Sequence, residues 1–293
     1  MRLKFHGVAP ALTTPLFEDG SIDFDGLKKL LQHVSDGGVD YLVVQGTTGE
    51  SATMDKDEKK SVLEFIKANN PKNLPIVYGI GGNNTPEVVK EIQNTDFQGI
   101  DAILSVCPYY NKPGARGVIA HYTAIANACP VPVIMYNIPG RSGINMSAAT
   151  TLELAKHPNI IGIKEASCII EQVMEINKDK PEDFLIISGD DVQGVPIIAC
   201  GGVGVMSVIA NAVPAKFSEM IHSALEGNFL KARTILGDFL AIDPLLYEEG
   251  NPVGVKKILE IKGICGSDVR LPLVKASEEL GKRMEVILVK DKL

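Results

Sequence analysis

The alternation of short apolar runs with helical patterns is the feature that most constrains the fold of this chain. The runs are rich in β-branched residues and apolar on both faces, as buried parallel strands are. We predict strands over residues 8–12, 41–44, 76–80, 102–106, 133–136, 160–163, 184–188 and 203–207, and helices over 25–35, 57–68, 85–94, 117–128, 147–156, 169–177, 192–200 and 214–225. About eight such units, roughly 25–30 residues apart, favour an α/β fold, a closed (β/α)8 TIM barrel. A solenoid has a similar period, but no residue-level repeat recurs.

The alternation stops after Gly227, and only helical patterns follow. They cover residues 230–240, 253–262 and 275–288. We therefore predict two domains, a catalytic barrel over residues 1–227 and a C-terminal helical domain over 228–293 that serves stability or assembly.

Charge and cysteine content exclude several classes of function. A formal net charge of −7 without a strong basic run argues against nucleic acid or an anionic membrane as partner. Five cysteines without a CxxC pair indicate reduced thiols in a cytoplasmic protein, and the N-terminus lacks the apolar segment of a signal peptide. Residues 192–215 carry no charge, but their glycines and prolines favour a strand and loops of the barrel over a membrane span.

The strand over residues 160–163 leads into Lys164. At the end of a buried strand an amine is desolvated, which lowers its pKa and increases its neutral, nucleophilic fraction. A Schiff-base lysine needs this property. Alternatively, Lys164 extends its amine into solvent at the strand end.

Polar residues follow several strands at their carboxyl ends, where barrel enzymes carry their active sites. These stretches are 46–51 (GTTGES), 107–113 (CPYYNKP), 136–143 (YNIPGRSG), 164 itself and 189–191 (GDD), and we assign to the same end of the barrel residues 201–206 (GGVGVM), which the eighth strand carries. Each has a structural alternative: the first is a tight turn, the tyrosines are core residues with a wet tip, and Arg141 is a surface cation. The glycines of 201–204 resemble a phosphate cradle only weakly, and the histidines lack ligand spacing, so we predict no metal and no cofactor. Together the set favours an imine-forming aldolase.

The motifs GTTGES, PYYNKP, YNIPGRSG, GIKEAS and SGDD occur in this order between residues 46 and 191, after the stretch GVAPALTTP at residues 7–15. In these motifs the chain resembles the dihydrodipicolinate synthase family of pyruvate-dependent class I aldolases, which also include N-acetylneuraminate lyase. The resemblance implies a lyase (EC 4.3.3.7) that condenses pyruvate with L-aspartate 4-semialdehyde through a lysine Schiff base. The product is 4-hydroxy-tetrahydrodipicolinate, and the step is the first committed one of diaminopimelate and lysine biosynthesis.

The resemblance also implies a role for individual residues. Lys164 forms the imine, Tyr136 is the general acid-base, and Thr47 relays protons between Tyr136 and Tyr110, which a neighbouring subunit donates. Thr48 holds the pyruvate carboxylate, and Arg141 binds the carboxylate of the semialdehyde. Gly189 and Met206 line the site, and the assembly is a homotetramer, a dimer of dimers.

Arg141 favours the synthase over its relatives, because family members that cleave sialic acid generally have an uncharged residue there and a GSTGE turn. N-acetylneuraminate lyase or another sugar-acid pyruvate aldolase remains the enzymatic alternative. A non-catalytic barrel with a regulatory or scaffold role is the contrasting class.

Feedback inhibition by lysine is a separate expectation. Lysine-inhibited relatives bind lysine through residues that match Ser51, Ala52, Asn83, Glu87 and Tyr109, together with two histidines. Those two histidine positions are Lys56 and Lys59 in this chain. Because two ammonium groups repel a cationic ligand, we expect weak or absent inhibition.

Overall fold

The computed structural model of the chain describes residues 2–293, and eight strands and twelve α-helices lie within them. The strands are β1 (Gly7–Pro10), β2 (Leu42–Val44), β3 (Ile76–Gly79), β4 (Ala102–Val106), β5 (Val133–Asn137), β6 (Ile160–Glu165), β7 (Leu185–Ser188) and β8 (Gly204–Ser207). The helices are α1 (Phe24–Asp36), α2 (Lys56–Ala68), α3 (Thr85–Gln93), α4 (Ala115–Ala128), α5 (Pro139–Ser142), α6 (Ala148–Leu154), α7 (Ile170–Asp179), α8 (Gly194–Ala199), α9 (Pro214–Leu225), α10 (Phe229–Phe239), α11 (Val253–Ile261) and α12 (Glu278–Lys290). Each predicted strand is confirmed to within two residues at either end.

The described residues form two compact units. The first unit comprises residues 2–6 and Pro75–Met206, and the second comprises Gly7–Leu74 and Ser207–Leu293. The predicted division of the chain at residue 227 stays a prediction.

The first unit is built on parallel strands that neighbour each other in chain order from β3 to β8. Their residues are almost all buried, because helices cover the sheet: α3 packs on α4, α4 on α6, α6 on α7 and α7 on α8. This is the reason that the strands are apolar on both faces in the sequence. In register, Tyr136 of β5 pairs with Lys164 of β6, and Lys164 pairs with Ile187 of β7.

The second unit contains β1 and β2, α1 and α2, and all helices from α9 onward. Ala11 and Val43 form a parallel bridge just after β1 and within β2. Helix α10 packs on α9, where the rings of Phe217 and Phe239 meet edge to face with 5.5 Å between their centroids. As predicted, the elements after Gly227 in the described chain are helical only.

Helix starts follow local capping chemistry. Helix α2 begins with a capping box, in which Asp55 and Glu58 each accept a hydrogen bond from the other's backbone N–H. Helix α12 begins three residues later than predicted, at Glu278, because the side chain of Ser277 accepts a hydrogen bond from the Leu280 N–H and so sets the first turn.

The uncharged stretch over residues 192–215 is divided among α8, β8, a short 3-10 helix (Ile209–Asn211) and the start of α9. Among residues 2–293, no helix has the length and apolarity needed to cross a bilayer. One expectation is corrected: Gly201 and Gly202 precede β8 and so lie at its amino end, away from the carboxyl ends. Gly201 makes a turn there with a φ of +94°.

His121 of α4 makes the stability of the fold sensitive to acid. Its ring is buried, with Nδ1 2.8 Å from the Thr85 Oγ1, and burial lowers its pKa to about 4. Because the unfolded chain binds this proton near pH 6.5, the contribution to stability is complete above that pH and is lost as the pH falls toward 4.

We expect the free energy of unfolding to decrease by about 2 kcal/mol from this residue between pH 7 and pH 4.5. Urea denaturation across that range measures it, with His121→Asn as the matched variant that keeps a polar partner for Thr85 but does not titrate. Equal pH slopes for the two proteins would contradict the assignment.

Candidate active site

Lys164 and Tyr136 form the centre of the candidate site in the first unit. Their side chains lie on the same face because the two residues are in register on β6 and β5. The Lys164 Nζ is 4.4 Å from the centroid of the Tyr136 ring. Both residues are nearly inaccessible to water, with exposures of 5% and 6%. An amine and a phenol are thus held together inside the core.

The electrostatics of Lys164 favour nucleophilic chemistry. Burial lowers the pKa of its amine to about 8, the negative charge of Asp191 opposes that shift, and Arg141 adds to it. Roughly a tenth of an amine with such a pKa is neutral at pH 7, against fewer than one in a thousand for an ordinary lysine. Lys164 therefore has the property expected of a Schiff-base lysine, and the alternative of an amine extended into solvent is wrong.

Gly189 lies directly against Lys164. A Cβ at this position would be 3.0 Å from the Lys164 Cε and 2.8 Å from the Ala166 Cβ. The Gly189 N–H also donates to the Glu165 carbonyl at 2.7 Å, which holds the residue beside β6. Met206 lies on β8 and is fully buried. The glycine gives the lysine side chain its space.

A second polar cluster lies one residue further along the same two strands. No sequence motif predicted it. Glu165 is 1% exposed, and both of its carboxylate oxygens accept hydrogen bonds from Asn137 Nδ2 at 3.1 Å. Gln172 Nε2 and the Ser167 N–H donate to the same carboxylate at 3.0 and 2.7 Å. Because side chains alternate along a strand, this cluster joins β5 and β6 on the face opposite Tyr136 and Lys164. The cluster thus holds β5 and β6 in the register in which the Lys164 amine lies beside the Tyr136 phenol.

Arg141 lies on α5, a helix of a single turn. Pro139 opens this turn, and Gly143 closes it in the left-handed conformation with a φ of +75°. The Ser142 hydroxyl donates a hydrogen bond that is shared between the carbonyl groups of Ile138 and Ile144, at 3.0 and 2.9 Å. A rigid turn thus carries an exposed guanidinium, a group suited to bidentate capture of a carboxylate.

The loops after β3 and β4 are bonded to each other. Asn83 Nδ2 donates to the Tyr109 carbonyl at 3.1 Å, and Asn111 Nδ2 donates to the Asn83 carbonyl at 2.9 Å. Tyr110 has a φ of +69° and is 89% exposed. Asn83 and Tyr109 thus come together as two of the predicted lysine-binding residues, while Glu87 is exposed on α3.

In the second unit, Thr47 and Thr48 belong to a 3-10 turn (Thr47–Gly49) that begins three residues after the end of β2. Thr48 is buried, and its hydroxyl accepts a hydrogen bond from Asn251 Nδ2 at 3.1 Å, whereas Thr47 is exposed. Ser51 and Ala52 belong to the next 3-10 turn. No periodicity pointed to Asn251, because it is 203 residues from Thr48 in the sequence.

The model of the dihydrodipicolinate synthetase family matches residues 4–291. The chain belongs to this family. It is 54% identical to the 4-hydroxy-tetrahydrodipicolinate synthase of Cytophaga hutchinsonii over 286 residues, covering 98% of this chain and 96% of the relative. It is 46% identical to the enzyme of the same name from Flavobacterium psychrophilum, covering 96% and 97%.

Solved structures of the family agree with the fold. The dihydrodipicolinate synthase of Acinetobacter baumannii, complexed with pyruvate, is similar with a TM-score of 0.94 at 33% identity, covering 98% of this chain and 99% of that one. The enzyme of Cyanidioschyzon merolae with lysine bound has a TM-score of 0.94 at 34% identity, covering 99% of both chains. The predicted fold class, a TIM barrel with C-terminal helices, is confirmed.

The pKa of Lys164 gives a direct test of the site. We expect its amine to titrate near pH 8, because burial disfavours the charged form, whereas exposed lysines titrate near 10.4. Reductive methylation with ¹³C-formaldehyde followed by NMR titration measures this value. The Lys164 signal is identified by its absence from a Lys164→Arg variant, and a midpoint above about 10 would contradict the proposed desolvation.

Proposed function

We propose that this family member is a lyase, a 4-hydroxy-tetrahydrodipicolinate synthase (EC 4.3.3.7), that condenses pyruvate with L-aspartate 4-semialdehyde. The observation that carries the chemistry is the buried Lys164 amine, with its lowered pKa, 4.4 Å from the Tyr136 ring centroid. The predicted synthase activity is confirmed by curated relatives of that name, up to 54% identical over nearly the whole chain. These names support the synthase rather than the sugar-acid aldolase.

The proposed reaction begins with attack of the neutral Lys164 amine on the keto carbon of pyruvate. The carbinolamine loses water to give an imine, and Tyr136 donates and accepts the protons of this step. The imine withdraws electrons, so that the methyl carbon of pyruvate loses a proton and the resulting enamine attacks the aldehyde. The amine of the bound semialdehyde then displaces Lys164, which closes the ring and frees the enzyme.

Two groups are proposed to hold the carboxylates. Arg141 binds the semialdehyde, supported by its exposed guanidinium on the rigid turn α5. Thr48 binds pyruvate, supported by its buried hydroxyl: Asn251 occupies one of its acceptor positions, which leaves its proton for an anion. Gly189 and Met206 complete the lining.

The assembly is proposed to be a homotetramer, a dimer of dimers. Tyr110 supports this, because an aromatic residue that is 89% exposed and held at a positive φ is suited to burial by a neighbouring subunit. There it would exchange protons with Thr47 and Tyr136, as the family resemblance implies. We also propose a cytoplasmic location, which agrees with thiols such as Cys107 that are buried and not joined in disulfides.

The activity is tested by following pyruvate consumption with L-aspartate 4-semialdehyde, beside N-acetylmannosamine and simple sugar-acid aldehydes. We expect turnover with the semialdehyde alone and none in Lys164→Ala, which lacks the amine. We expect Arg141→Ala to lower kcat/KM for the semialdehyde about 100-fold, the loss of a charge-assisted carboxylate contact.

Arg116→Ala, at an exposed arginine of α4, is the control and should be unaffected. Turnover with another aldehyde only would preserve the imine chemistry and refute the role of Arg141. Failure of borohydride to trap pyruvate on Lys164 would favour the non-catalytic barrel.

Inhibition by lysine is expected to be weak or absent. Lys56 is exposed at the start of α2 and Lys59 follows within its first turn, so both ammonium groups are available to repel a cationic ligand. We expect less than half inhibition at about 1 mM lysine in initial-rate assays, and stronger inhibition in Lys56→His/Lys59→His. Inhibition of the native enzyme at sub-millimolar lysine would refute this expectation.

A further inference from the structure

The turn that carries Thr48 contains a left-handed residue that is not glycine. Glu50 has a φ of +57° and a ψ of +31°, and it separates the 3-10 turn Thr47–Gly49 from the next one, Ser51–Thr53. A residue with a Cβ adopts this conformation only when its surroundings determine it. The path of the turn therefore depends on what holds Glu50.

The carboxylate of Glu50 is buried and has two partners. Lys256 Nζ donates to Oε1, and the Arg270 N–H donates to Oε2 at 2.9 Å. Lys256 lies on α11 and is fully buried, and its amine also donates to the Asp268 carbonyl at 2.7 Å. The two side chains thus form a buried ion pair in which each partner makes one further hydrogen bond to the backbone.

Both partners of Glu50 come from the C-terminal part of the chain, more than 200 residues away in the sequence. The same part provides Asn251, whose amide donates to the Thr48 hydroxyl at 3.1 Å. Thr48 and Glu50, two residues apart in the turn, are therefore both bonded to residues 251–270. Helix α11 and the segments on either side of it thus hold this turn through its buried polar groups.

A contribution to stability does not account for this arrangement. Desolvation of two charges offsets much of their attraction, so a buried ion pair adds little stability compared with apolar residues of the same size. Such a pair does restrict geometry, because the carboxylate can bond its partner from one position only. Here that requirement sets the backbone of a turn.

We propose that Glu50 and Lys256 are positioning residues for pyruvate binding, and that helix α11 holds the carboxylate-binding turn through them. This inference rests on the proposed function, because it requires that Thr48 binds the carboxylate of pyruvate. Neither side chain touches substrate. Both act by fixing where the Thr48 hydroxyl and N–H lie.

The test uses the full-length enzyme with the double substitution Glu50→Gln/Lys256→Met. Both charges are removed together, so that no unpaired charge remains buried. We expect the variant to fold, with a melting temperature close to that of the native enzyme, and the KM for pyruvate to rise about tenfold or more. The KM for the semialdehyde and kcat should change less than about threefold, since a loose turn weakens binding of one substrate. The matched control is Lys257→Met, the next residue of α11, whose amine pairs with Glu260 and not with the turn.

A second variant, Glu50→Asp, keeps both charges and shortens the carboxylate by one methylene, so it tests the same idea if the neutral pair does not fold. We expect it to raise the KM for pyruvate several-fold with native secondary structure. An unchanged pyruvate KM in a folded variant would overturn the proposal, as would equal losses for both substrates together with a lowered melting temperature.

Borohydride trapping separates this proposal from the function on which it rests. If the native enzyme forms no imine with pyruvate, the proposed function fails. If the native enzyme is trapped and the variants are trapped at the same pyruvate concentrations as the native enzyme, only the positioning role fails.

Discussion

Exclusion of water from the Lys164 amine is the constraint on which the rest of the site depends. The amine belongs to a parallel strand whose neighbours on both sides are themselves buried, so its charged form loses solvation. The helices that cover the sheet therefore favour the neutral amine that the proposed chemistry requires at neutral pH. The same burial that stabilises the fold lowers the pKa of the Lys164 amine.

Polar clusters fix the positions of the candidate site residues, which burial alone does not do. The Asn137–Glu165 contact joins β5 and β6 on the face opposite the amine and phenol, and Gly189 leaves room for the lysine side chain. In the second unit, Lys256 and Asn251 bond the turn that carries Thr48. Each cluster consists of hydrogen-bonded polar groups beside a residue that is proposed to act on substrate.

Local patterns predicted most of the fold. The strands were predicted to within two residues because each is apolar, β-branched and flanked by turn residues. The one-turn helix α5 was missed because four residues are too few to show a helical period. The start of α12 was displaced because the cap at Ser277, rather than the apolar pattern, decides where a helix begins. The glycines at 201 and 202 were assigned to the wrong end of β8, since a glycine run does not show which side of a strand it borders.

The period of the pattern, the strand ends and the order of the motifs can all be read from the chain before it folds, and they predict the fold class, the family and the proposed nucleophile Lys164. By contrast, the contacts of Glu165 with Asn137, of Glu50 with Lys256 and of Thr48 with Asn251 appear only in the folded chain. The reason is physical: a hydrogen bond or ion pair between residues far apart in the chain leaves no periodic trace in either segment. Such partners are chosen by the packing of whole elements, and they exist only once the chain has folded.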